Sequence, residues 1–410
     1  METTIVAFGS SLHGKERLEE KQRVILQRLN AGKHHFSVVP PAKHEAPYHI
    51  ILVLTGGVEN TVIQYLKGQT LPIIFLSDDK DNSLAATLEL TAKLQAEEIQ
   101  TEVILIDKDD ALQKLERTLK ILQTIQRLKN SKIGILGRPS DWLVASHIND
   151  IEVERRFGTR VIRIPLKEVI TRATKVSRRE AERIAETFVK GASRVVEPSK
   201  ETITNAARIY ISLKNMCEEY ELNAFTIRCF DLLSALQTTG CMALSLLNSE
   251  GIIAGCEGDA QSLFSMYISH LATGSIPFMA NISDIDTYRN SVTLAHCTVA
   301  IKMTSSYTLR SHFESGIGVG IQGDLPEGDA TLLRLGKSSL ESYMLFTGTA
   351  THPTEHSEEL CRTQVVVNTD TSPEVLLKRP LGNHIVFLSG RHTITLEKLF
   401  EYLGMKRIND

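Results

Sequence analysis

The chain has no CxxC pair. Its six cysteines, Cys217, Cys229, Cys241, Cys256, Cys297 and Cys361, are dispersed and mostly sit in apolar runs, so they read as reduced, buried small hydrophobes. It also lacks any stretch near the roughly 18 uninterrupted apolar residues that a membrane span needs. The opening METTIVAFGSSLHGKE has no basic start followed by a sustained apolar core, which argues against a secretory signal and sets a cytoplasmic location as the expectation. Neither sign of charge is in excess: 46 Lys plus Arg against 49 Asp plus Glu leave a formal net charge of -3. No global positive field therefore draws the chain to nucleic acid or to a membrane surface. GSSLHG after the first strand is not GxGxxG, and no GxxxxGK(S/T) occurs, so nucleotide binding has no positive support. Solenoid-length repeats and low-complexity tracts are lacking too.

What is present is an ordinary globular composition: 410 residues, 42% hydrophobic and 23% charged, a length that fits two to three domains. Residues 1–131 alternate short apolar runs (TIVAFG, HFSVVP, YHIILVLTGG, PIIFLS, TEVILID) with helix-period segments such as KERLEEKQRVILQRLN. That rhythm predicts a doubly wound parallel sheet, Rossmann-like in its plan. KIGILG opens a second α/β domain over 132–276, which continues through TRVIRIP, helices over 177–192 and 199–220, AFTIRCF and GIIAGC. Asp141 in RPSDWLVAS is read as the cap of a helix carrying Trp142. From 277 to 410 the texture changes to short strands, among them VTLAHC, TLRSHFES, GIGVGIQG, DATLLRLG, YMLFTGTA, RTQVVVNT and HIVFLSG. This spacing predicts a C-terminal antiparallel β-barrel-like domain, finished by the helix TLEKLFEYLGM.

The chemistry-bearing residues concentrate around the second boundary. Glu257 directly follows GIIAGC and precedes a helix, which puts it at the carboxyl end of a strand, where open α/β sheets place ligands. A carboxylate there can coordinate a hard cation or move a proton; the competing reading of Glu257 or Asp259 is a helix N-terminal cap. His296 ends the strand-like VTLAH, and His384 opens HIVFLSG behind a Gly-Asn turn. Singly, each histidine reads as a hydrogen-bonded core residue. Together with Glu257 they form a mixed oxygen and nitrogen set suited to Mn²⁺ or a similar divalent ion. His312 and Glu314 share a face if RSHFES continues as a strand. The turn Thr55, Gly56, Gly57 in TGGVEN has the form of an anion cradle between strand and helix, with a plain connecting turn as its alternative. His352 and His356 are four apart, but Pro353 between them favours a loop.

CEGD before a helix, then PFMANISDIDTYRNSVTLAHC, HFESGIGVGIQG, GDATLLRLG and GNHIVFLSG occur in that order. So ordered, they resemble the L-fucose isomerase and L-arabinose isomerase superfamily, especially its shorter fucose-isomerase-like branch. GRPSDWLVAS and TGGVEN are similar to elements of that branch. The resemblance implies a metal-dependent aldose–ketose isomerase working through an enediol, with Mn²⁺ or another divalent cation such as Mg²⁺ or Co²⁺. It implies a homotrimer or homohexamer in which a neighbouring subunit's N-terminal domain covers the active site.

By the same resemblance Glu257, His296 and His384 are metal ligands, with Glu257 also an acid/base group. Asn281 falls nearest the place of a second metal carboxylate, as a ligand or substrate contact, although an amide cannot serve as a general base. Either Asp284 or Asp286 then replaces the missing acid, or Glu257 or a metal-bound hydroxide carries both proton transfers; Asp284 is the first choice. His312, Glu314, Trp142 and the Thr55–Gly57 turn are expected to hold the sugar. A sulfo- or phospho-sugar would need cationic donors, for which Arg310, Arg334 and Lys337 are the candidates. The rival readings are a catalytically silent sugar-binding or regulatory protein on the same scaffold, and a lyase that uses a metal enolate.

Overall fold

The computed structural model describes residues 2–32, 34–41, 48–68 and 72–408, and the chain divides into two compact units, Met1–Gln126 and Arg127–Asp410. In the first, β1 (Glu2–Phe8), β2 (His35–Val38), β3 (His49–Val53), β4 (Ile73–Ser77) and β5 (Thr101–Leu105) form a parallel sheet in the order β2-β1-β3-β4-β5. Every residue of β3 and β4 is buried. Their unbroken apolar runs are what a parallel sheet covered by helices on both faces demands. The helices Lys15–Leu29, Glu59–Tyr65 and Ser83–Ala96 make the crossovers.

The second unit begins with another parallel sheet, built from β6 (Lys132–Leu136), β7 (Arg160–Ile164), β9 (Ala224–Ile227) and β10 (Ile253–Gly255) in the order β10-β9-β6-β7. Between β7 and β9 lies the two-residue β8 (Arg194–Val195), which pairs parallel with β13 (Ser306–Arg310). The chain leaves β6 in one direction and returns beside it at β9. The sheet's switch point therefore lies between β6 and β9, and the loops after β6, β9 and β10 open on one crevice.

The remaining strands are β11 (Phe278–Asp286), β12 (Ser291–His296), β14 (Gly320–Asp324), β15 (Gly328–Gly336), β16 (Ser342–Thr351), β17 (Thr363–Thr369), β18 (His384–Ser389) and β19 (Lys406–Arg407). Six of them close an antiparallel barrel in the cyclic order β15-β18-β11-β12-β17-β16, with β16 pairing back onto β15. The helix Ala260–Thr273 is buried along most of its length. A helix apolar nearly all round must be enclosed, and this one lies against β10 of the sheet and against β15 and β18 of the barrel. Its serines fit that enclosure: Ser265 Oγ donates to the carbonyl of Gln261 and accepts from the amide of Leu335.

The α/β sheets and the barrel match the expected architecture, and none of the six cysteines is in a disulfide. Three local readings fail. Asp141 caps no helix: residues 141–149 are irregular and hold no helix, and the helix Asp150–Phe157 starts where the Asn149 side chain accepts from the amides of Ile151 and Glu152. Asp141 instead pairs with Arg228, Oδ2 to Nη2 at 2.8 Å. PFMANISDID, not read as a strand, is β11. RSHFES leaves the strand after Arg310, so His312 and Glu314 sit in the following turn.

The barrel wall makes its own demand at Gly348 of β16, which pairs with Thr369 of β17. A Cβ at Gly348 would collide with the backbone carbonyl of Asn368. Gly348→Ala is therefore expected to cost about 1–3 kcal/mol by forcing the two strands apart, read as a lower urea midpoint of the purified chain.

Candidate metal and active site

The residues after β10 make a tight bend before the buried helix. Asp259 is the N-cap: its Oδ1 accepts from the Ser262 amide at 2.7 Å and its Oδ2 from the Ser262 hydroxyl at 2.8 Å. Because Asp259 satisfies the helix terminus, Glu257 is free for another task. Its backbone sits in the left-handed region at φ 60°, a conformation that costs a non-glycine residue energy and recurs at functional sites. Gly258 follows at φ 73° with its Cα against the loop after β6; a Cβ there would lie 2.6 Å from the Arg138 carbonyl oxygen. The Ser140 amide donates to the Glu257 carbonyl at 2.8 Å, which ties the two loops together.

This bend aims the Glu257 carboxylate at two imidazoles from the barrel. Glu257 Oε1 lies 3.7 Å from His296 Nε2 and 3.6 Å from His384 Nε2. The rings are 5.7 Å apart between centroids. One ligand atom from each of the three residues falls within 4.8 Å of the others, and all three side chains are buried. His296 ends β12 and His384 begins β18, on either side of β11. Asn281 of β11 is in register with His384, and its amide oxygen accepts from Asn383 Nδ2 at 3.1 Å. Asp284 is exposed beyond an irregularity in β11, and among the described residues it takes no part in the cluster. No contact among the described residues supports Asp284 as the second acid.

Behind the cluster runs a line of alternating charge. His384 Nδ1 donates to Asp259 Oδ2 at 2.9 Å, and Arg334 Nη1 donates to the same oxygen at 3.0 Å. Arg334 Nη2 donates to Ser146 Oγ at 3.0 Å and to Gln261 Oε1 at 3.3 Å. Arg334 is 2% exposed and Asp259 0%, so Arg334 is no donor for a substrate anion and that expectation is overturned. Arg310 is bound by Glu197 and Glu358, and Lys337 by Glu341. A single charged residue inside TLLRLG is the sequence signal for such a buried pair.

Burial alone would push the His384 imidazolium down, but the carboxylates of Asp259 and Glu257 outweigh it and hold its pKa up, at about 9. Burial likewise pushes Glu257 up, and the two histidines overcome it, leaving the carboxylate far below its ordinary range. Asp259 is lowered too: the field of Arg334 and the His384 hydrogen bond exceed the burial penalty.

Carboxylate oxygen plus two imidazole nitrogens, with Nδ1 of His384 already engaged by a carboxylate, is the donor set and outer support that divalent transition ions use. His296 Nδ1, 3.0 Å from the Thr298 hydroxyl, is supported in the same way. The residues present therefore fit a divalent cation.

The other expected site residues fall at different distances. Trp142 joins the cluster: its indole N–H donates to Glu257 Oε2 at 2.7 Å. His312 is buried behind Phe230, which lies edge-on to both His312 and Trp142. Glu314 is exposed and does not accompany it. Thr55, Gly56 and Gly57 lie in the first unit at the carboxyl end of β3. There Gly56 and Gly57 line, with Ser10, His13, Asp81 and Asn82, a crevice of about 580 Å³. Sequence reasoning missed Phe230 and the bridging role of Asp259, which no spacing rule marks.

The fold is of the α/β class with an antiparallel barrel, and where its parallel sheet meets the barrel it carries a buried carboxylate–imidazole cluster that could hold a metal ion. The family model for the L-arabinose isomerase central domain matches residues 144–273. The sulfoquinovose isomerase of Priestia megaterium (strain ATCC 12872 / QMB1551) is 27% identical over 239 residues, 56% of this chain and 52% of that protein. The sulfoquinovose isomerase of Alkalicoccus urumqiensis is 24% identical over 246 residues, covering 58% and 55%. That of Clostridium sp. (strain MSTE9) is 23% identical over 272 residues, covering 64% and 60%. The chain thus spans about half the length of the first of these relatives. Over residues 144–273 the chain is similar to the L-arabinose isomerase central domain, and over a little more than half of its length to these sulfoquinovose isomerases.

Two outcomes follow from the charge line. Arg334→Met strands the buried Asp259 carboxylate and should cost about 3–5 kcal/mol in chemical denaturation. In the metal-free protein, the raised pKa of His384 stabilises the fold fully below the unfolded value near 6.5. That stability drains away as pH rises through about 9, while the lowered carboxylates contribute constantly over the same range. Denaturation midpoints should fall from pH 6.5 to 9, and His384→Asn should flatten the slope.

Proposed function

We propose that this chain is a metal-dependent aldose–ketose isomerase acting on a sugar, with an anionic sulfo-sugar as the favoured substrate class. The observation that carries the reading is the convergence of Glu257, His296 and His384 on one point at the sheet's carboxyl end. The names of the sulfoquinovose isomerase relatives support the substrate class. Mn²⁺ is the favoured ion, because imidazole and carboxylate donors without thiolate suit it. Bound there, it would supply a Lewis acid for the sugar's carbonyl and adjacent hydroxyl oxygens.

The residues around it divide the remaining work. Glu257 takes the proton from the carbon beside the carbonyl and returns it to the former carbonyl carbon, while the hydroxyl proton passes from the second oxygen to the first, which turns aldose to ketose through an enediol. His296 and His384 hold their Nε2 atoms toward Glu257 Oε1, and Asp259 fixes the orientation of His384. Asn281 orients a sugar hydroxyl or offers its amide oxygen to the ion. His312 and Trp142 border the sugar. The second unit is read as two domains, 132–276 and 277–410, after a first of 1–131. Assembly as a trimer or hexamer would bring a neighbour's Thr55–Gly57 turn over the site; the half-exposed face of Trp142 supports a cover of that kind. No helix among the described residues is long and apolar enough to cross a membrane, and a cytoplasmic location goes with the reading.

The absence of a second carboxylate at Asn281, with Asp284 exposed, favours one alternative, a sugar-binding protein without turnover. Sulfoquinovose and a panel of neutral aldoses incubated in D₂O with the Mn²⁺-loaded full chain separate the two by NMR. Isomerisation with deuterium at the exchanged carbon is expected, Glu257→Gln lowering kcat about 10²–10⁴-fold. Metal retention should fall about 10-fold or more in His384→Ala and be unchanged in His352→Ala. Binding without conversion would leave a sugar-binding protein, and two fragments in place of an isomer would make it a lyase.

A further inference from the structure

Trp142 is the chain's single tryptophan, and its placement is costly in structure. Arg228 Nη1 donates to the Pro139 carbonyl at 2.6 Å, and its Nη2 grips Asp141 at 2.8 Å. The Ser140 amide is held by the Glu257 carbonyl. Gly258 presses against Arg138 and Pro139 with no room for a Cβ. These contacts hold the segment 138–141, directly before the indole. Phe230, edge-on at 4.7 Å between ring centroids, fixes the ring itself. What this produces is one hydrogen bond, indole Nε1 to Glu257 Oε2 at 2.7 Å, while 52% of Trp142 stays exposed.

The two carboxylate oxygens consequently face different surroundings. Oε1 faces both Nε2 atoms, and Oε2 accepts from the indole N–H. We infer that Trp142 is a positioning residue that divides the labour of Glu257: the indole N–H holds Oε2 off the ion, so the carboxylate ligates through Oε1 alone and keeps Oε2 turned toward the sugar as the proton carrier. A bidentate carboxylate would occupy both oxygens on the ion and leave none for the proton. The inference rests on the metal-site reading proposed above. Its hydrogen-bond part stands independently of turnover.

The test uses the full chain and two readouts other than activity. With one tryptophan, a ¹⁵N-labelled sample gives one indole N–H cross-peak, which should lie downfield in the wild type and move upfield in Glu257→Gln. By calorimetry with Mn²⁺ alone, Trp142→Phe, which keeps a ring against Phe230 and removes only the donor, should weaken binding about 10–100-fold, as loss of an outer-shell partner does. Circular dichroism checks that the variant is folded. Unchanged Mn²⁺ affinity in Trp142→Phe, with affinity lost in Glu257→Gln, overturns the positioning role and leaves the metal site intact. A loss in Trp142→Phe with a cross-peak unmoved by Glu257→Gln also overturns it, since the effect is then one of packing. Wild-type affinity in Glu257→Gln sinks the metal site itself, and the inference with it.

Discussion

Asp259 is a carboxylate removed completely from water, and the second unit is arranged around making that tolerable. An isolated ionised group in such surroundings would cost several kcal/mol even after relaxation. Asp259 meets that cost with four donors: the Ser262 amide and hydroxyl from its own helix, Arg334 from β15, and His384 from β18. Two of these partners come from the barrel and two from the helix that follows the parallel sheet. The same atoms that satisfy the charge therefore fasten sheet to barrel. A buried ion pair is weak evidence for net stability; its contribution here is register, since His384 can reach Asp259 only if β18 is correctly placed.

From that constraint the site follows. With Nδ1 of His384 committed to Asp259, Nε2 is left facing Glu257, and the imidazole is locked in the orientation a metal ligand needs. Helix capping passes from Glu257 to Asp259, which releases Glu257 to adopt its left-handed backbone and face inward. His296, supported by Thr298, closes the third side. The loops that supply Glu257, Arg228 and Trp142 leave the carboxyl ends of β10, β9 and β6, as the switch point of the sheet dictates. The barrel supplies nitrogen and the sheet supplies oxygen, so neither half holds the cluster alone.

Much of this is legible in the sequence, and the limits have physical reasons. Parallel strands such as HIILV and IIFLS announce themselves because burial on both faces removes alternation. Glu257, His296 and His384 stand out because each is a polar residue at the edge of an apolar run. Asp284, three residues from Asn281, lies beyond the point where the register of β11 shifts, and it is exposed, which linear proximity alone does not reveal. His312 and Glu314 mislead because an assumed strand face ends two residues early. Arg334 misleads most: a lone cation suggests an anion site, yet its partner lies 75 residues away in the chain, a distance no periodicity spans. Asp141 resembles a helix cap but is held by Arg228, another long-range pair.

The central claim is that Glu257, His296 and His384 bind one divalent ion together. Pulsed EPR of the Mn²⁺-loaded chain tests it most directly, because ¹⁴N modulation reports imidazole nitrogens coordinated to the ion. The account expects two coupled histidine nitrogens, reduced to one in His296→Ala and in His384→Ala. Tightly bound Mn²⁺ without nitrogen coupling, or a signal unaltered by both substitutions, would contradict it.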